Sequence, residues 1–303
     1  MNNKKERPDL DNEEPIISIV WDDEERPSQA PTLPPAPKPR NWAAKVCAVL
    51  LLLIVAGGAL WGAWHFFYLD LPVSTSFFKN VAKLKKEAEK SKAPGVVVTQ
   101  DSIHGVALNI YRLRGLQATL SLQEPSPADS DVVLYSRSAD YTAEGTYLGD
   151  LVIDGQEKKS MNDMRLGYCG MANGNVVIGV SPFDCVMDYC IERGGSFFRQ
   201  FALLSDGELP RKFSLHGRVE RCALARTDDD QLFYIATRHK ELLLDFANAL
   251  RAYGFADAIY ITGGTSYSYY RNSDGDVVGI GDPNEHPLDA HMPFVPWLVF
   301  RAR

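Results

Sequence analysis

The chain has 303 residues, a formal net charge of −7, and 45% hydrophobic and 11% aromatic side chains. That length and apolar content support one sizeable core with segments to spare. The negative charge excludes nucleic acid as the main partner, because phosphate backbones are held by clustered Lys and Arg. An acidic substrate needs only a local basic pocket.

Residues 1–41 hold eight of the 18 prolines and nine acidic side chains, with an apolar island at Ile16–Trp21. Such a segment buries too little surface to offset its ordering entropy and reads as a disordered acidic, Pro-rich tail. Within it, Pro27 to Arg40 favours an extended polyproline spacer.

Residues 42–68 read as a membrane anchor. Val46 to Trp64 carries no charged side chain, and Trp42 to Trp64 at helical rise spans about 33 Å, enough to cross the hydrocarbon layer. Trp42 marks one interface, and Trp61, Trp64, Phe66, Phe67 and Tyr68 crowd the other. The preceding segment is too long and too acidic for a cleaved signal peptide. Lysines and arginines flank both ends, so charge alone leaves the orientation open. Gly58 and Gly62, four apart, offer a small-residue face for a homodimer. The basic helical pattern over Phe77 to Lys92 predicts a stalk within residues 69–94, ended by Pro94-Gly95.

The domain over 95–303 opens with short alternating or apolar runs: Val96–Val98, Gly105–Tyr111, Ala118–Leu122 and Val132–Tyr135. Gly149–Asp154 and Val176–Val180 continue the pattern, all of it predicting strands. A helix is predicted over Lys240 to Tyr253 from the spacing of Leu242, Leu243, Phe246, Ala247 and Leu250, stopped by Gly254. The fold class is therefore α+β, a β-rich mixed-sheet domain with packed helices. Cys169, Cys185, Cys190 and Cys222 permit two disulfides in three pairings, or buried free thiols. No zinc spacing occurs, so no metal and no cofactor are expected; Asp274-Gly275-Asp276 reads as a turn rather than a calcium site.

The helix leads into an apolar strand, Ala258–Ile261, and then Gly263-Gly264-Thr265-Ser266. Two glycines after a buried strand allow close approach to the backbone and an anion-binding concavity. The order of helix, glycine, strand and glycine pair resembles the C-terminal signature of the phosphodiester glycosidase domain family. Gly170–Gly174 (with Asn173), Gly194–Phe198, Leu203–Gly207 and Arg221–Arg226 followed by Leu232–Thr237 are similar to its earlier segments. The resemblance covers about Gly167 to Asp282. It departs at Thr262, where the family usually has aspartate.

The resemblance implies a membrane-anchored hydrolase that cleaves a sugar-1-phosphodiester. It also implies a cytoplasmic N-terminus and an extracytoplasmic domain, periplasmic or lumenal. Such a reaction needs the phosphate charge held, the oxocarbenium-like centre stabilised and a carboxylate or water opposite. Arg221 is the expected phosphate clamp, since guanidinium binds bidentately. Gly263, Gly264, Thr265 and Ser266 complete the anion cradle, and Asn173 holds a sugar hydroxyl. Glu192 and Asp245 are the candidate catalytic carboxylates. Asp184, Asp188 and His239 read as solvated or packing residues. Because Thr cannot act as a base near neutral pH, Thr262 supports the alternative, an inactive glycan- or partner-binding envelope module of the same fold.

Overall fold

A computed structural model describes residues 42–67, 76–89, 93–126, 128–138, 146–158, 160–161, 165–210, 213, 215–263, 268–280 and 296–302. The acidic tail and Gly264, Thr265 and Ser266 lie outside these residues. The chain divides into two compact units, residues 1–61 and 62–303.

Helix α1 (Trp42–Phe67) carries the apolar run. Its segment Lys45–Gly62 is long and apolar enough to cross a membrane, and none of it is buried. Leu51, Ile54 and Leu60 expose two thirds or more of their surface (66%, 73% and 72%). A helix this apolar on every side fits a lipid environment better than water. Gly58 and Gly62 have open space where a side chain would stand.

The larger unit begins with α2 (Ser76–Leu84), β1 (Gly95–Ile103), β2 (Val106–Arg114), β3 (Leu116–Ser121) and β4 (Val132–Arg137). Next come β5 (Tyr147–Leu148), β6 (Leu151–Ile153), β7 (Gln156–Lys158), β8 (Ser160–Met161), β9 (Gly167–Ala172) and β10 (Asn175–Val180). Then follow α3 (Cys185–Glu192), β11 (Ser196–Gln200), β12 (Ala202–Leu204), β13 (Arg221–Arg226) and β14 (Leu232–Thr237). The chain closes with α4 (Leu243–Tyr253), β15 (Asp257–Gly263), β16 (Ser268–Arg271), β17 (Val277–Ile280) and β18 (Trp297–Ala302).

Three antiparallel sheets result, in the orders β1-β2-β14-β13-β15-β12, β10-β9-β11-β6-β7 and β17-β16-β4-β18-β3. A short parallel pair, β5 with β8, stands apart from them. This is the expected α+β class.

The six-stranded sheet is buried on both faces, and its alternation shows how. On β14, Tyr234 and Ala236 enter a core shared with the other two sheets, through Leu134, Phe198 and Leu298 among others. Phe233 and Ile235 point the opposite way, into a second core beneath α4. α4 packs there through Leu243, Phe246, Ala247 and Leu250. Gly254 ends the helix in the left-handed region at φ 103°, as a glycine C-cap does. The helix starts at Leu243 rather than Lys240, because Glu241 is taken up in a bridge to Val219.

α2 does not stand clear of the domain as a stalk. Phe77, Asn80 and Leu84, at helical spacing, are buried against the second sheet and α3. Asn80 donates to Tyr168 Oη at 2.7 Å and to the Ile178 carbonyl at 3.0 Å. Lys83 pairs with Asp230 at 2.5 Å. Asn80→Ala therefore leaves a buried phenol and a carbonyl without this donor, and is expected to cost about 2 kcal/mol. Chemical denaturation of the variant measures this, and an unchanged midpoint contradicts it.

α3 is the helix that sequence periodicity did not single out, and of the two cysteine readings the structure has free thiols. All five cysteines are free. Burial pushes the Cys190 thiol up to about 11 and raises Cys169 further. Since the thiolate is the reactive form, neither thiol should react with an aromatic disulfide reagent at about pH 8 until the domain unfolds. The partly exposed Cys185 should react in the folded protein. Mass-spectrometric mapping of the labels checks both.

Candidate functional site

The sequence-predicted residues fall into two groups. Asn173, with Glu192, belongs to the second sheet and its helices. Asn173 and Gly174 both take positive φ (48° and 72°) in the turn between β9 and β10, the conformation an Asn-Gly hairpin favours. The Asn173 amide donates to the Leu84 carbonyl at 2.9 Å and to Tyr189 Oη at 3.1 Å. Both of its N–H donors thus tie α2 and α3 to the hairpin. Glu192 ends α3 with its side chain 68% exposed, 3.7 Å from the guanidinium of Arg193. Neither residue shares a hydrogen bond or ion pair with Arg221. Of the other acids near it, Asp184 pairs with Arg199 at 2.7 Å.

Arg221 and Gly263 are brought together. Arg221 opens β13 and Gly263 closes β15, directly opposite it. The register between the two strands shifts between Arg221 and Ala223, a bulge in which Ile261 and Thr262 lie across from Cys222. Bulges commonly re-aim a strand end next to a functional site.

Arg221 is 3% exposed. Its Nε donates to the Glu241 carbonyl at 3.1 Å, one terminal nitrogen to Tyr260 Oη at 3.1 Å and the other to the Gly217 carbonyl at 2.8 Å. Its backbone N–H is held by Thr237 Oγ1 at 2.9 Å. All three side-chain partners are neutral, and among the described residues no carboxylate lies within ion-pair distance. A guanidinium has five N–H donors, so two remain, one on each terminal nitrogen. A buried cation without a counter-ion is costly, and an anion placed at those donors offsets that cost.

Gly263 is required by proximity. A side-chain carbon there would come within 1.9 Å of Tyr260 Oη and 2.8 Å of the Glu220 carbonyl. The phenol that receives the Arg221 hydrogen bond occupies that space. Gly263→Ala forces Tyr260 off this position, at an expected cost on the order of 1–3 kcal/mol. A melting curve for the variant measures it, and wild-type stability contradicts it.

Two carboxylates gather around Arg218, three residues before Arg221 in the chain. Glu241, whose carbonyl receives Arg221, has a side chain only 12% exposed and 3.1 Å from Arg218. The same Arg218 reaches Asp245, on the first turn of α4, at 3.8 Å. Asp245 therefore belongs to the Arg221 neighbourhood through Arg218 and Glu241, whereas Glu192 does not. Sequence reasoning passed over Glu241, and the only cue was its place at the junction of β14 and α4. It also passed over Arg165, 6% exposed, with its guanidinium over the Phe201 ring at 4.3 Å. Arg165 donates to Gln200 Oε1 at 2.6 Å, and Gln200 Nε2 donates to the Ile261 carbonyl at 3.1 Å. A second buried guanidinium thus reaches the end of β15 through one glutamine.

Among the described residues no group of three His, Cys, Asp or Glu side chains is placed to hold a metal ion.

No protein-family model matches the chain, and no curated protein matches it by sequence. Its fold does match solved structures. The catalytic domain of zebrafish N-acetylglucosamine-1-phosphodiester alpha-N-acetylglucosaminidase, auto-inhibited by its pro-peptide, superposes with a TM-score of 0.51. That match covers 72% of this chain and 87% of the zebrafish one at 13% identity. A hypothetical protein from Synechocystis matches over 70% of this chain and 64% of its own, at 9% identity and a TM-score of 0.48. The domain is thus a distant fold relative of a phosphodiester glycosidase domain.

Proposed function

We propose that residues 95–303, joined to a single membrane-spanning helix, form a hydrolase that cleaves a sugar-1-phosphodiester. The supporting observation is the buried Arg221 guanidinium, with two N–H donors unused and no carboxylate partner among the described residues, at the end of β15 beside Gly263. In this reading those two donors take the phosphate oxygens; Gly264, Thr265 and Ser266, assigned to the same cradle from the sequence, lie outside the described residues. Phosphate leaves readily from an anomeric carbon, so holding and orienting it supplies much of the rate enhancement. Glu241 replaces Glu192 as the first-choice carboxylate opposite the phosphate, with Asp245 behind the same Arg218. No divalent cation is needed for these roles. In this reading the N-terminus lies in the cytoplasm and the domain outside it.

A panel of α- and β-linked sugar-1-phosphodiesters offered to the full-length protein in detergent tests the reading. Release of free sugar from at least one substrate is expected, reduced roughly 100-fold or more in kcat/KM by Arg221→Lys. A folded protein that turns over none of them, or an Arg221→Lys variant as fast as wild type, contradicts it.

The second reading, a non-catalytic glycan- or partner-binding module, draws on Thr262. This position carries a hydroxyl where the resembled pattern has a carboxylate, and it sits in the β15 bulge. If wild type binds the diester without cleaving it and Thr262→Asp gains turnover, this second reading holds.

A further inference from the structure

The helix that follows the apolar span has two faces, and the domain uses only one. Phe77, Asn80 and Leu84 are buried, while Phe78, Lys79, Ala82, Lys85 and Lys86 on and just beyond α2 are exposed. Phe78 is 68% exposed. Its ring lies 4.1 Å from Phe77, whose ring lies 5.4 Å from Phe183, itself 50% exposed. Three contiguous phenylalanines thus form a patch with two rings open to solvent, and single exposed aromatics are common where a pair flanked by lysines is not. Lys79, Lys85 and Lys86 make no ion pair among the described residues, whereas Lys83 is taken by Asp230. Asp184, next to Phe183, is neutralised by Arg199. Asp188 on α3, and Glu87 and Glu89 just after Lys86, are exposed acids as well, so the lysines of the α2 face rather than the chain beyond it supply the positive charge.

We propose that this face of α2, with Phe78 and Phe183 at its apolar end, docks on the surface of an anionic lipid bilayer. Only residues 68–75 separate the end of α1 at Phe67 from Ser76. At full extension that link reaches roughly 30 Å, so the patch is tethered near whatever bilayer α1 occupies. Aromatic rings settle at the headgroup boundary, and lysines are drawn to anionic headgroups within a Debye length. The combination holds one face of the domain toward the membrane. The inference rests on α1 being a membrane span, not on the hydrolase reading.

The test uses the full-length chain in nanodiscs, one set of phosphatidylcholine alone and one with phosphatidylglycerol added. Lysine acetylation by a water-soluble reagent is followed by mass spectrometry, with the exposed Lys240 as internal control. In anionic discs Lys79, Lys85 and Lys86 are expected to label roughly fivefold more slowly than in neutral discs. High salt should restore labelling, as should the double substitution Phe78→Ser with Phe183→Ser, and Lys240 should stay unchanged throughout. Labelling as fast in anionic as in neutral discs overturns the inference, as does protection that survives both high salt and the double substitution. A chain that does not co-migrate with the discs instead removes the membrane span itself, and is told apart at the disc-isolation step.

Discussion

Replacing Arg221 with alanine is expected to destabilise the domain by about 3 kcal/mol and to abolish any phosphodiester chemistry. The side chain joins the Gly217 carbonyl, the Glu241 carbonyl before α4 and the Tyr260 phenol on β15, adding to the Val219–Glu241 bridge and the Arg218–Glu241 ion pair that already connect the first two. Hydrogen bonds from a charged donor contribute about 1.5–3 kcal/mol each, and removal leaves their acceptors buried and unmatched. The loss of the buried charge itself offsets part of this, which keeps the total near the value of one or two such bonds. Arg221→Lys separates the two roles. Lysine retains the charge but not the planar fork, so part of the stability should return while anion binding does not. Thermal melts of both variants read the first effect, and a wild-type melt for Arg221→Ala contradicts it.

The second large effect is expected at Phe246→Ala, about 3–5 kcal/mol. Phe246 is fully buried on α4, in the core beneath the six-stranded sheet with Ile235, Ala223 and Tyr260. Its neighbours in this core are themselves packed on rigid strands and on α4, so they refill the space only in part. Because Tyr260 shares that core and also receives the Arg221 hydrogen bond, the cavity should loosen the candidate site as well as the helix. Phe246→Leu, which keeps most of the volume, should lose considerably less. Urea titrations of the two variants read the difference, and equal losses point away from a packing origin.

Much of the frame around α4 was legible because its signals agree. An apolar stripe of period 3.6, a glycine stop and a buried run all belong to consecutive elements, and the structure places α4, Gly254 and β15 there. The strands of the first half were legible from alternation, with ends displaced by a few residues. α3 carries Val186, Tyr189 and Cys190 at helical spacing, but two turns make a weak pattern, and its cysteines drew attention to pairing instead. The periodicity of α2 gave a helix and could not say what its apolar stripe met. That partner is the hairpin of β9 and β10, roughly ninety residues away in sequence.

The candidate site was legible in part for the same reason. The glycine that closes β15 marks a close approach, and the structure supplies the approaching group, Tyr260 Oη. Asn173 was read as a sugar ligand, yet Asn-Gly between two apolar runs is first a hairpin signal, and its amide is used within the fold. Glu241 and Arg165 had no local pattern. Each acquires its place from a long-range contact, the bridge to Val219 for Glu241 and the hydrogen bond to Gln200 for Arg165.

The anion site is common to both functional readings, so it is best tested by binding rather than turnover. The measurement is a calorimetric titration of the full-length protein in detergent with the methyl phosphodiester of a sugar 1-phosphate. Saturable binding is predicted for wild type and for Glu241→Gln, with binding lost in Arg221→Lys. Equal binding by wild type and a folded Arg221→Lys, or no binding by folded wild type, contradicts a phosphate held at Arg221.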